Sequence, residues 1–89
     1  MVVGCSGGEQ APRTPAEKTQ RAQALIDAGN EAYTRGDYRT AARRYAAAAV
    51  VSKDDPAAYY GMGMALQKLG RDEEARAAYA RSRQLVKKH

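Results

Sequence analysis

Two stretches of this 89-residue chain read as copies of one another: LIDAGNEAYTRGDYRTAARRYAAA, residues 25–48, and YYGMGMALQKLGRDEEARAAYARS, residues 59–82. A shift of 34 residues places Gly29 on Gly63, Gly36 on Gly70, Ala41 on Ala75, Tyr45 on Tyr79 and Ala46 on Ala80. The glycine and tyrosine matches weigh most, because alanine is abundant throughout the chain. Self-similarity at such a period signals stacked supersecondary units, each too small to bury its own apolar face. Gly29 and Gly63 fall inside helical runs, where glycine costs roughly 1 kcal/mol against alanine and needs a packing reason. Close approach of two helices supplies that reason, with Tyr45 and Tyr79 filling the space between layers.

Outward from these stretches, every segment has helical spacing. Ala22, Leu25, Ala28, Gly29, Ala32 and Tyr33 share one face of a first helix; Tyr38, Ala41, Ala42, Tyr45, Ala48, Ala49 and Ser52 share one face of a second. Tyr59, Met62, Gly63, Leu66 and Leu69 do the same for a third, and Ala75, Ala78, Tyr79, Ser82, Leu85 and Val86 for a fourth. Gly36 and Gly70 suit left-handed positions past helix ends, and Asp37, Asp55 and Asp72 are expected to cap the helices that follow. Pro56 opens the third helix. Thr14-Pro15-Ala16-Glu17 combines an N-cap, a first-turn proline and a reciprocating glutamate. Upstream, Gly4, Ser6, Gly7, Gly8 and Pro12 break any period, so residues 1–14 read as a flexible lead-in and 15–89 as the folded domain.

The spacing of large and small residues resembles the tetratricopeptide repeat. In the unit at about 56–89, Tyr59, Met62-Gly63, Leu66, Ala75, Tyr79 and Ser82 occupy the family's positions; in the unit at about 22–55, Leu25, Ala28-Gly29, Ala32, Ala41, Tyr45 and Ala48 do. The resemblance covers residues 22–89. It implies an all-α fold of two helix-turn-helix repeats in a superhelical stack, the first helix extended at its N-terminus. Pro56 falls three residues later than the family's inter-repeat proline, which implies a second helix longer by nearly a turn. The family packs the positions of Ala42 and Ala49 against a following repeat, whereas their counterparts Arg76 and Arg83 are cations that are expensive to bury unpaired. That edge is therefore expected to be wet and the array to end at two repeats. Two is fewer than the usual three. The long first helix is expected to compensate by covering the other edge, and a homodimer is the competing solution.

The resemblance also implies a function. Such arrays bind peptides or partner segments along a concave face lined by the first helix of each pair. By position, that face comprises Ile26, Asn30 and Tyr33 from the first unit and Tyr60, Met64, Gln67 and Lys68 from the second. Asn30 matches an asparagine of the subfamily that grips C-terminal carboxylates. The lysine expected near Ile26 is missing and Met64 replaces the second asparagine, so a carboxylate clamp is not expected. An apolar-aromatic groove with a few amides remains, suited to a hydrophobic peptide or helix.

Composition narrows the chemistry further. The chain has one cysteine, one histidine at position 89 and neither tryptophan nor phenylalanine. No disulfide, Cys-based zinc cage or histidine-containing triad can be assembled, so an enzyme, a metal site and a bound cofactor are not expected. The net charge of +5 divides into +4 over residues 39–53, −3 over 54–75 and +5 over 76–89, with −1 before them. Arg39, Arg43 and Arg44 cluster on the second helix, without interleaved aromatics for stacking on single strands. A solvated outer face is the expectation there, and nucleic acid or anionic lipid is the disfavoured one. Lastly, Val2-Val3-Gly4-Cys5-Ser6 resembles a bacterial lipobox, in which Cys5 would carry the lipid. Only four residues precede Cys5, so that reading requires a chain that starts late. It implies a lipoprotein on the periplasmic side of the outer membrane; otherwise the expectation is a cytoplasmic adaptor.

Overall fold

The computed structural model describes residues 14–88, which form four helices: α1 (Pro15–Thr34), α2 (Tyr38–Val51), α3 (Pro56–Lys68) and α4 (Asp72–Lys87). No strand occurs among the described residues. The start of α1 is a complete capping box: the Glu17 amide donates to Thr14 Oγ1 at 3.1 Å, and the Thr14 amide donates to Glu17 Oε1 at 3.1 Å. Asp37 Oδ1 accepts from the Thr40 amide, and Asp55 Oδ1 from the Ala57 amide. Each repeat turns at a left-handed glycine, Gly36 at φ 83° and Gly70 at φ 80°. Past Gly36 the Asp37 amide reaches back to the Ala32 carbonyl at 2.8 Å; past Gly70 the Arg71 amide reaches the Leu66 carbonyl at 2.9 Å. Both turns are therefore Schellman motifs, which satisfy carbonyls that a helix end leaves open.

The fourth helix departs from expectation. Its N-cap is Arg71, not Asp72, and no side chain caps it. The 34-residue shift sets Arg71 on Asp37, so the second repeat lacks the capping oxygen of the first. Asp72, Glu73 and Glu74 occupy the first turn instead, where negative charge suits the helix dipole. Arg71 Nε lies 2.9 Å from Glu74 Oε1. Nor do the residues before Pro56 extend α2: the helix stops at Val51, Ser52 is its C-cap, and residues 52–55 form the connection.

Helix α1 packs on α2, α3 packs on α4, and α2 lies against α3, with α1 touching α3 along a narrower strip. The centre of the stack is Tyr45, 1% exposed. Its ring is clamped between two glycines: a Cβ on Gly29 would fall 2.8 Å from its Cε1, and one on Gly61 2.7 Å from its Cγ. Tyr79 sits on Gly63 in the same way, 2.6 Å from the corresponding Cβ position. Helix α3 is buried on two sides, since Ala58, Gly61 and Ala65 on its other face also lie in the interior. At the far edge Arg76 and Arg83 are exposed, so that edge is wet, as the charges require. The opposite edge is not covered as expected: residues 15–21 of α1 are all exposed, and burial begins only at Ala22. Val86 likewise points outward, while its neighbour Leu85 is buried.

Candidate functional site

The face shared by α1 and α3 brings most of the predicted residues together, through tyrosines rather than through one another. Ile26 is the exception. It is 7% exposed and belongs to the core cluster, so it offers nothing to a partner. Its position, which corresponds to Tyr60 in the second repeat, lies inside the stack because α3 covers one flank of α1.

Asn30 is exposed and its Oδ1 accepts the hydroxyl proton of Tyr45. In the second repeat Met64 replaces that asparagine, and the Tyr79 hydroxyl donates instead to Gln67 Oε1, 3.0 Å away. Each interlayer tyrosine thus finds an amide, at a different helical position in each unit. Burial pushes the Tyr45 hydroxyl above its ordinary value of 10.0, and the nearby Tyr33 phenol adds to the shift. Tyr79 is raised for the same reason, with Tyr60 and then Tyr33 contributing. Four phenols and two amides therefore share one neighbourhood.

The aromatic contacts extend it at both ends. Tyr33 meets Tyr38 edge-on, ring centroids 5.1 Å apart, and Lys68 Nζ lies 5.9 Å from the Tyr38 centroid. Tyr60, 53% exposed, meets Tyr79 at 5.4 Å with the rings tilted by 55°. Met64 is half-buried beside them in sequence, on the same helical face as Tyr60 and Gln67. Sequence reasoning assigns neither Tyr38 nor the outer side of Tyr79 to this face. A usable signal exists for Tyr79: it matches Tyr45, yet no third repeat follows within the described residues to bury its far side.

Phenols with raised pKa values are poor nucleophiles and poor bases at neutral pH. Among the described residues there is no group of three or more His, Cys, Asp or Glu side chains that could hold a metal ion. The surface offers flat aromatic area edged by amide and hydroxyl groups, which is recognition chemistry. Cys5 lies outside the described residues.

Two helical hairpins stacked side by side, each with an interlayer tyrosine on a helix glycine, define an α-helical repeat protein. A family model described as TPR repeat matches residues 29–70, and one described as Tetratricopeptide repeat matches residues 56–89. The chain belongs to the tetratricopeptide-repeat proteins, whose repeats generally serve as protein–protein interaction modules and scaffolds rather than enzymes. Neither a curated protein nor a solved structure matches it.

Proposed function

We propose that the tyrosine-lined face of α1 and α3 binds a peptide or helix of a partner protein, and that the chain acts as a non-enzymatic interaction module. The observation that carries this reading is Tyr60, more than half exposed and stacked against Tyr79. Stacking on Tyr79 accounts for the buried part of the ring, while the part left in water is available to a partner, and tyrosine is enriched among the residues that dominate binding energy. With two rotatable bonds it supplies contact area at low entropy cost. Asn30 and Gln67, each with Nδ2 or Nε2 donors beyond the oxygen used by a tyrosine, and Lys68 at the edge would orient the bound segment.

The test is capture from a lysate of the source cell with the full chain as bait, comparing the natural sequence with a Tyr60→Ala, Met64→Ala double variant. Loss of the captured protein with unchanged helical circular dichroism supports the assignment. Equal capture by both sinks it. A finer part of the proposal, that the module is a lipoprotein tethered through Cys5, rests on the sequence around that residue alone. Incorporation of a labelled fatty acid, lost on Cys5→Ala, would support the tether; no incorporation would count against it.

A further inference from the structure

A second concavity lies on the other side of α3. Among the described residues no Cα of α2 lies within 8 Å of one in α4, and the gap between them, floored by α3, is an open groove of about 490 Å³. Ala42 and Ala46 form one wall, Ala77 and Ala78 the other, and Tyr59 and Met62 the floor. A continuation past Ala46 and Ala49 reaches Val50 and Lys53. Val50 is 78% exposed. On α3, Tyr59, Met62 and Leu66 follow helical spacing on a face distinct from that of Tyr60, Met64 and Gln67, so this groove is separate from the site above.

The shape and chemistry of the groove select its occupant. From Ala42 to the end of α2 at Val51 the wall runs roughly 13 Å at 1.5 Å per residue, about two and a half helical turns. Its walls are alanine methyls and its floor is tyrosine ring and methionine, with polar groups confined to the rim. An extended peptide laid there would bury backbone donors and acceptors without partners. A helix satisfies its own backbone, and alanine walls let a third helix approach closely. The rim is basic: Arg43 and Arg81 flank the groove and Lys53 stands at one end. Arg81 lies with its guanidinium 5.8 Å from the Tyr59 ring centroid. The single acid on the rim, Glu74, is already paired with Arg71. Of the large hydrophobics exposed among the described residues, Val50 and Val86 lie in the +4 and +5 segments, where docking would set cation against cation, and Tyr60 stands on the face assigned above to a partner, so a second copy is a poor match.

We propose that this outer groove seats an amphipathic helix of a partner protein, apolar along one stripe and flanked by Asp or Glu. Of the cations Arg39, Arg43 and Arg44 on α2, Arg43 lines this groove, a position the tyrosine face leaves unused.

Selection from a display library of surface-randomised helical peptides, with the full chain as bait, tests this whatever the identity of the partner. Enriched peptides should carry apolar residues at i, i+3, i+4 and i+7 with acidic flanks, and should release as salt rises. Arg43→Glu and, separately, Ala77→Gln, which places bulk in the groove from an exposed position, should each weaken them by about ten-fold or more. Tyr60→Ala should leave their affinity unchanged, and lysine-flanked versions should recover binding to Arg43→Glu. Enrichment of peptides lost only with Tyr60→Ala would overturn this proposal while supporting the tyrosine face. No enrichment overturns it, as does binding to phosphatidylglycerol vesicles alone with the same dependence on Arg43. A dimer in sedimentation that Ala77→Gln dissolves would assign the groove to a second copy and overturn it too.

Discussion

Replacing Gly61 by alanine sets helix propensity against packing, and the structure says which prevails. In a helix interior the substitution is intrinsically favourable by about 1 kcal/mol. Here the new methyl would crowd Cδ1 and Cε1 of Tyr45 more closely still than Cγ, which lies 2.7 Å away, so the ring would have to retreat by roughly 1 Å to reach an ordinary 3.4 Å contact. The ring has little freedom to do so. It is 1% exposed, Gly29 closes its opposite side, and its hydroxyl is tied to Asn30. Overpacking of this kind costs about 1–3 kcal/mol, and the pinned ring argues for the upper end. The net expectation is a loss of about 2 kcal/mol, or a fall in Tm of about 8–16 °C for a domain of this size. Gly63→Ala is the control. It meets Tyr79 at 2.6 Å, but that ring is only half-buried and has solvent to move into, so its net effect should be near zero. Thermal and urea melts followed by helical circular dichroism measure both. In a Tyr45→Leu background the clash is gone, and Gly61→Ala should become stabilising. A Gly61→Ala variant as stable as the natural chain, or a loss that persists unchanged without the Tyr45 ring, would refute the reasoning.

Other expectations follow from single contacts. Ser82 is buried, and its Oγ donates to the Pro56 carbonyl at 3.0 Å, tying α4 to the start of α3; Ser82→Ala should lower stability by about 1 kcal/mol in the same melts. Asp37 titrates below its ordinary value of 3.8 because the Thr40 side chain and then its amide hydrogen-bond the carboxylate. Its contribution is therefore present above that value and lost as pH falls through the lower folded-state value. Asp37→Asn, which caps without charge, should lack this component of acid destabilisation in melts taken from neutral to low pH. The phenols of Tyr45 and Tyr79 are raised above 10.0 by burial first. Their contribution is complete below 10.0 and lost as pH climbs through the raised values. Ultraviolet absorbance titrations of the natural chain against Tyr45→Phe and Tyr79→Phe should show each of these phenols ionising above 10.0, together with loss of helix.

Much of the fold is legible in the sequence because its signals are local. The Thr14 box, the left-handed Gly36 and Gly70, and the caps at Asp37 and Asp55 each need only a few neighbouring residues. The missed cap at Asp72 shows the limit of reading residue type without register: the matching position is Arg71, and the acids serve the dipole instead. The candidate face is legible by position but not by contact. Correspondence with Tyr60 places Ile26 on it, although only Tyr60 lacks a helix lying over it. The outer groove leaves no periodic trace, since Ala46 and Ala77 look like ordinary small residues until α2 and α4 are seen to stand apart.

A period of 34 residues reports what two repeats share, and by itself it determined the helix hairpins, their turns and a close approach at Gly29 and Gly63; that the rings of Tyr45 and Tyr79 are what approaches them was decided by the tertiary structure. The interface between the repeats occurs once in these two units, so no internal comparison can reveal it. Gly61 aligns with Asp27, an unremarkable mismatch along the chain. Tertiary structure supplies the reason: Gly61 receives the Tyr45 ring of the preceding repeat, while no repeat precedes α1 among the described residues and Asp27 stands in solvent. Which surfaces remain open, and which charges rim them, follows from that stacking rather than from any local pattern.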